Sequence, residues 1–588
     1  MPIATVPPTT PQTSPSMATR DRVDSTIVES NPANTPQSSR AAITIEDQSH
    51  RLQHKKLLLV LSSLTLCSFV SYLDQTSVST VLPAIAHDLG AADRINWVGI
   101  SFLVATTSSQ IVIARLSDIF GRKALLISVI VLFTLGNLLC GFAKTAVWLF
   151  IARGIAGIGG GGINSVVSII LTDLVSLKDL GKYSSILITS VALGSGIGPL
   201  LGGALSTAGW RWVFWFTVPI TVACIVQLWW MLPQNKMSGN LREKLRMVDF
   251  IGSSVSLAAV VLLLVPLSGG GIYYSWNSAF VISMIAVGSV LAVLFILVEW
   301  RVAALPILPL YLFRIRNVFI VSATTFLTGI VFFCNLYFLP SYYTDVRGFS
   351  PVQAGLYLLP LVVVQVFAVM LSGQLLSRTR YPRPYIVGGF AIWTIGAGLQ
   401  SMFGLGTSKG KIIGYLILEG IGIGFTFQTT ILAAQASAPS PERAVITGSR
   451  NFFRSLGGAI GLVATKNAVL KKELLAIPGL SAQAAASIIK LGPQALTDSS
   501  LDGAVRSAYM SSIRAVFILF IPVAGLSVIM SLFMKSVYLQ GDKDVLPVTK
   551  TPTPPTSQDN LELRNMGGEG DNRDSIAVEG RSAEKSFK

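Results

Sequence analysis

Two charged side chains stand where the chain is otherwise apolar: Asp74, in Tyr72-Leu-Asp-Gln-Thr76, and Arg153, in Arg153-Gly-Ile-Ala-Gly-Ile-Gly159. A carboxylate inside such a run is costly unless it is paired, protonated or hydrated, so it marks a functional position by default. The chemistry open to it is taking up and giving back a proton, with Arg153 as its ion-pair partner. A static pair that only holds helices together is the competing reading. A second charged group, Asp118, Arg122 and Lys123 around Gly121, with Asp173 further along, is expected to cluster at one membrane face. Gly194-Ser-Gly-Ile-Gly-Pro-Leu-Leu-Gly-Gly203 holds no titratable group. There Gly194, Gly198, Gly202 and Gly203 let another backbone approach closely, and Pro199 removes one backbone donor. Leucine at Gly198 is expected to force the helices apart, and alanine to be far milder. Gln428, Gln435, Asn451 and Arg454 are polar groups within later apolar runs, fit either to line a cavity or to bond between helices. Glu419 is an acid read as cavity-lining or interfacial, and Glu299 as a helix-end residue reaching for the interface.

The elements that must position these residues are read from composition. The chain has 588 residues, 51% hydrophobic and 13% charged, with mean hydropathy +0.62. Soluble domains carry about 25% charged residues, so this is an all-helical integral membrane protein whose principal partner is the lipid bilayer. About fourteen apolar runs approach the ~20 residues a spanning helix needs. They fall near 57–81, 96–114, 124–142, 147–171, 183–205, 213–232, 250–267, 280–298, 318–342, 352–376, 385–403, 412–434, 445–468 and 509–535. The stretch 471–506 reads as the longest loop between them, and Trp210-Arg-Trp-Val-Phe-Trp215 as an interfacial aromatic belt.

The formal charge of +16 belongs to short loops between apolar runs, so it reports topology and not a nucleic-acid surface. With the N-terminus inside, loop lysines and arginines favour the inner side by more than about two to one, which makes both termini cytoplasmic. Residues 1–54 and 541–588 are polar, Pro/Ser/Thr-rich or mixed in charge, and are expected to be disordered cytoplasmic tails. The first apolar run is too long for a cleaved leader. Cys67, Cys140, Cys224 and Cys334 lie inside apolar runs and His50, His54 and His87 sit apart, so no disulfide framework or metal site is expected. No nucleophile–base constellation and no G-x-x-x-x-G-K-[ST] appear, so neither an enzyme, a cofactor nor ATP as energy source is expected.

The run Ala114-Arg-Leu-Ser-Asp-Ile-Phe-Gly-Arg-Lys123 fits the pattern G-x-L-A-D-x-x-G-R-K and resembles the signature loop of the major facilitator superfamily, with Ala114 in place of the first Gly. The G-x-x-x-G-P-x-x-G-G arrangement at Gly194–Gly203 is similar to the family's antiporter motif. Leu73-Asp-Gln-Thr76 through Pro83 resembles the L-D-x-T-x-x-x-x-A-L-P motif of its fourteen-helix drug:proton antiporters, with Val81 in place of Ala. Echoes of three glycine-rich segments recur at offsets of about 260 residues, as in transporters built from two repeated halves. The resemblance implies two six-helix bundles, 55–232 and 310–540, joined by a two-helix insert within 233–309, with the cavity between the bundles. It further implies a monomer that exchanges protons for a small organic compound such as a drug, toxin or secondary metabolite. In this family the Asp118–Arg122–Asp173 cluster latches the two halves. The tails and the phrases Asn451–Gly458 and Gly209–Phe216 are similar to fungal efflux pumps of the plasma membrane, with the vacuolar membrane as alternative. A carrier of amino acids, polyamines or siderophores, and a transport-silent membrane sensor, stay open as other readings.

Overall fold

The structure is a computed structural model describing residues 54–539, apart from 92–93, 96, 176, 234–240, 271–273, 303–305, 440–441, 465 and 492–498. The expectation for the two tails lies outside the described residues, as do parts of the loops. The long helices are α1 (His54–Asp88), α2 (Trp97–Phe120), α3 (Arg122–Gly141), α4 (Ala146–Leu174) and α5 (Leu177–Ser206). A sixth span is made of α6 (Trp212–Trp215) and α7 (Thr217–Met231), and short α8 (Leu241–Met247) follows. Next come α9 (Phe250–Gly269), α10 (Ala279–Arg301), α11 (Arg316–Ser341), α12 (Pro351–Thr379), α13 (Arg383–Gln400), α14 (Lys409–Ala436) and α15 (Arg443–Ala464). The last are α16 (Lys466–Leu475), α17 (Ala482–Leu491) and α18 (Asp502–Leu532).

Side chains at the helix starts explain where several begin. Thr145 accepts from the Trp148 N–H ahead of α4, Asp249 from Gly252 ahead of α9, and Ser278 from Val281 ahead of α10. Ser350 and Gln353 form a reciprocal capping box at α12. Between α2 and α3 the only non-helical residue is Gly121, at φ 93 and ψ 146, a conformation open in practice to glycine alone. The ten-residue run read as a loop is therefore mostly helix. α2 continues to Phe120, and that places Arg115, with 3% exposure, inside the protein.

Among the described residues, twelve helices, α6 and α7 counted as one, are long and apolar enough to span a membrane. α13 and α15 belong to the same packed array but fall short in apolarity, α15 because it carries Arg443, Arg450, Asn451 and Arg454. In the first bundle α1 packs on α5, α2 on α4, and α3 on α4 and α7; in the second α11 packs on α15, α12 on α14, and α13 on α14 and α18. The glycine echo has a physical counterpart here: Gly198 faces the Leu73 carbonyl of α1, and Gly457 faces the Phe326 carbonyl of α11. The bundles meet along α5–α12 and α2–α15. The insert helices α9 and α10 pack on each other, and Val260 and Leu264 of α9 meet Leu103, Val104 and Ala459 at the α2–α15 seam.

Three further expectations change. The stretch 471–506 contains α17 and the end of α16, with α16 packed on α18. Its alanines and leucines favour helix even though the segment is too polar to span. Trp210 is buried at 5% exposure and donates from Nε1 to Asp88, whereas Trp212 is exposed, so the aromatic segment is only partly an outer belt. The indole N–H of Trp210 and the guanidinium of Arg211 hold the Asp88 carboxyl below the usual carboxylate range. Glu299 does not reach for solvent. The chain doubles back beyond α10, and the buried carboxylate accepts from the N–H groups of Ile307 (3.2 Å) and Leu308 (3.1 Å).

Candidate transport site

α1 and α4 bring Asp74 and Arg153 together in the first bundle. Arg153 Nη1 donates to Asp74 Oδ2 at 2.8 Å, and both side chains are buried. The guanidinium is held further by the Val98 carbonyl (3.4 Å) and lies over the rings of Phe102 (4.3 Å) and Phe214 (5.6 Å). Such stacking suits a planar, weakly hydrated cation. The second carboxylate oxygen, Asp74 Oδ1, is buried without a hydrogen-bond partner. That leaves one lone-pair site on the acid open beside a made ion pair.

At the Gly121 end, Arg122 bonds Asp118 (2.5 Å) through Nη1 and Asp173 (2.8 Å) through Nε, and Ser117 Oγ also accepts from Nη1 (2.7 Å). Lys123 caps the Trp229 carbonyl (2.7 Å). These contacts all lie within the first bundle. The reach towards the second half is made by Arg115, which donates to Asp118 (3.4 Å) and to the Pro306 carbonyl (2.9 Å), and stands 3.7 Å from Glu442. Tyr311 donates to Glu442 in turn (2.8 Å). Reading Arg115 as a loop charge hid this bridge, since its partners lie far away in sequence.

The motif glycines divide by face. A Cβ on Gly194 would lie 2.6 Å from the Phe69 carbonyl, and one on Gly198 would lie 3.0 Å from the Leu73 carbonyl. At Gly202 it would strike the Ser77 carbonyl and Thr80 Oγ1. Recurring every fourth residue, these three form the stripe against α1. Gly203 has nothing within 4 Å and is not part of it. Gly196 turns instead towards Val362 of α12, and Gly181 approaches the Gly373 carbonyl to 2.9 Å, measured from an added Cβ. Pro199 lies inside α5.

Between the bundles lies a cavity of about 80 Å³ bordered by α1, α4, α5, α14 and α15. Sites for drug-sized ligands run to roughly 300–1,000 Å³, so cargo of that size enters only when the bundles part. Gln428, Gln435, Asn451 and Arg454 all line it, together with Arg450 and Tyr72, which the sequence reading passed over. Arg454 Nη2 donates to Tyr72 OH (2.8 Å), Asn451 to the Asn164 carbonyl (3.4 Å), and Gln435 to Thr447 (2.8 Å). Neither Gln428 Nε2 nor Gln428 Oε1 has a partner. The signal that points to Arg450 is its place four residues before Arg454, on the same helix face. A larger void of about 550 Å³ between α2, α4 and α9 is lined almost wholly by apolar atoms and lacks these groups.

Glu419 neither borders the cavity nor sits at the interface. It is fully buried in the second bundle, where it accepts from Asn335 Nδ2 and from Trp393 Nε1 (3.2 Å), and Gln400 donates to Asn335 Oδ1 (2.7 Å). α14 begins at Lys409, so the tenth residue beyond is already well inside the helix. Its Oε2 has no partner.

Residues 64–462, more than half of the chain, match the profile of the Major Facilitator Superfamily. Citrate exporter 1 of Yarrowia lipolytica is 36% identical over 539 residues, covering 89% of this chain and 80% of that protein. Efflux pump dotC of Dothistroma septosporum is 34% identical over 409 residues, with 69% and 70% covered. A solved bacterial homolog of the human lysosomal transporter Spinster, inward-facing and occupied, superposes at TM-score 0.54 with 16% identity, covering 82% of this chain and 97% of that one. Repeated bundles, a buried ion pair, a cavity at their junction and a family match over most of the chain lead to one assignment: this multi-pass membrane protein belongs to the major facilitator superfamily and is a transporter of small compounds.

Proposed function

We propose that the protein exports small organic compounds in exchange for protons, as a monomer in the plasma membrane with both termini cytoplasmic. The observation that carries the coupling is that one helix, α1, bears both the paired acid and a cavity-lining side chain. Asp74, with its free Oδ1, pairs with Arg153 and stands two residues from Tyr72, whose hydroxyl accepts from Arg454 in the cavity. Cargo that takes Arg454 away from Tyr72 acts on the helix that carries the acid. Charges at the Gly121 end, among them Arg115, Arg122 and Lys123, favour placing that end inside. Relatives named for citrate export and for efflux fit outward transport, though the two names suggest unlike cargoes.

The test is transport in proteoliposomes loaded with citrate or with rhodamine 6G, with and without an imposed pH gradient. The gradient is expected to raise the initial export rate of the transported probe by roughly tenfold, about the effect of 1.4 kcal/mol. A rate indifferent to the gradient would refute proton coupling.

The charge cluster at Gly121 is the proposed gate. Asp118 is contacted by both Arg122 and Arg115, and Arg115 also stands 3.7 Å from Glu442, so the acid joins the turn to the second half. Contacts that exist in one conformation only shift the balance between states. Asp118→Asn is expected to leave membrane levels normal and to slow transport by roughly tenfold. Unchanged transport at equal expression would remove the gate.

A further inference from the structure

We propose that the cavity binds a small organic polyanion, a di- or tricarboxylate, with Arg450 and Arg454 as its two charged anchors. This deepens the transport reading above and rests on it. Four arginines are buried among the described residues: Arg115, Arg153, Arg450 and Arg454. The first two have acids, Arg115 with Asp118 and Glu442, and Arg153 with Asp74. The cavity pair has none. Arg450 donates to the Phe427 carbonyl (2.8 Å) and Thr430 Oγ1 (3.3 Å), and Arg454 to Tyr72 OH (2.8 Å). Neutral acceptors solvate these cations without cancelling their charge. Among the described residues, no Asp or Glu lines the cavity.

Two uncompensated cations four residues apart on one helix repel each other, and in a low-dielectric site they favour a counter-anion. Donors on the lining residues also stay unused. Arg450 Nε, Arg454 Nε and Gln428 Nε2 are all buried without a partner. Cβ atoms at i and i+4 lie about 5–6 Å apart, so two guanidiniums there reach two carboxylates carried on one short carbon skeleton. Planar forks match carboxylates in a way a single ammonium does not. The unpartnered amide oxygens of Gln428, Gln435 and Asn164 add acceptors for a hydroxyl on the same skeleton. A lipophilic cation meets repulsion in this cavity. A carboxylate displaces only the Tyr72 hydroxyl from Arg454.

The experiment uses the purified full chain in nanodiscs and in proteoliposomes, without a pH gradient. Thermal unfolding is measured with citrate, inorganic phosphate and tetraphenylphosphonium. Counterflow of labelled citrate is compared for wild type, Arg450→Gln, Arg454→Gln and Arg454→Lys. Citrate is expected to raise the midpoint by several degrees, phosphate to raise it less and the cation to leave it unmoved. Counterflow is expected to fall about tenfold or more in either glutamine variant, with Arg454→Lys between these and wild type because the charge survives without the fork. Preference for the cation, equal stabilisation by phosphate, or unchanged counterflow in the glutamine variants overturns the proposal. Should a glutamine variant fail to fold, the wild-type ligand comparison decides by itself. Citrate counterflow that persists while a pH gradient adds nothing would instead count against proton coupling alone.

Discussion

Gly202→Leu is expected to abolish transport and to reduce folded protein in the membrane severalfold. α5 lies against α1 along Gly194, Gly198 and Gly202, and at Gly202 even a methyl group collides with the backbone carbonyl of Ser77. A carbonyl of the neighbouring helix has no rotamer with which to yield. Helices in lipid associate through close packing and not through exclusion from water, so separating these two loses the attraction that joins them. The displaced helix also carries Asp74. Inserting extra methylenes into a packed core costs about 1–3 kcal/mol, and leucine adds more bulk than that range covers. Gly198→Ala, expected from sequence to be mild, meets Thr76 Oγ1 on the spot the methyl would occupy, where it also bonds the Gly194 carbonyl (3.3 Å). It is therefore expected to damage activity as well, though less than Gly202→Leu because a hydroxyl can rotate. Gly203→Ala, with open space around it, is the control expected to behave as wild type. Size-exclusion profiles of tagged variants, read with transport at equal expression, check all three. A monodisperse, active Gly202→Leu protein would show that α1 and α5 do not depend on this contact.

The fold was legible because a bilayer makes one demand that sequence records directly, about 20 apolar residues per helix. Loop charges and the glycine echoes then ordered the spans. The ion pair Asp74–Arg153 was legible for a related reason: few charges lie inside the apolar runs, so few pairings are available. Side-chain direction and long-range partners were not legible. Arg115 looked like a turn charge until α2 continued past it. Glu299 looked exposed until the chain folded back and offered it the N–H groups of Ile307 and Leu308. Glu419 differs from Arg454 in no local feature that says which lines a cavity. That is decided by rotation about the helix axis and by neighbours such as Asn335, 84 residues from Glu419. Hydropathy carries no information on either.

Asp74→Asn is expected to eliminate gradient-driven export, by about 100-fold or more, while gradient-free counterflow stays within a few fold of wild type. Asn keeps the shape of the carboxyl and one oxygen for Arg153 Nη1, but it has no proton to exchange. A 100-fold loss corresponds to about 2.7 kcal/mol, close to the cost of breaking a buried charge pair, since removing one partner costs about 3–5 kcal/mol by stranding the other. Stability alone therefore cannot separate coupling from packing, and the readout must compare driven with undriven transport in the same vesicles. If the pair is structural only, both rates fall together. If it couples, the driven rate falls and counterflow survives. Arg153→Lys sharpens the comparison, because lysine keeps the charge but loses the fork and the stacking on Phe102 at 4.3 Å. It is expected to retain a reduced response to the gradient. Undiminished gradient-driven export by Asp74→Asn would move the proton to another acid. Glu419, fully buried and with Oε2 likewise unpartnered, is the one the geometry then selects.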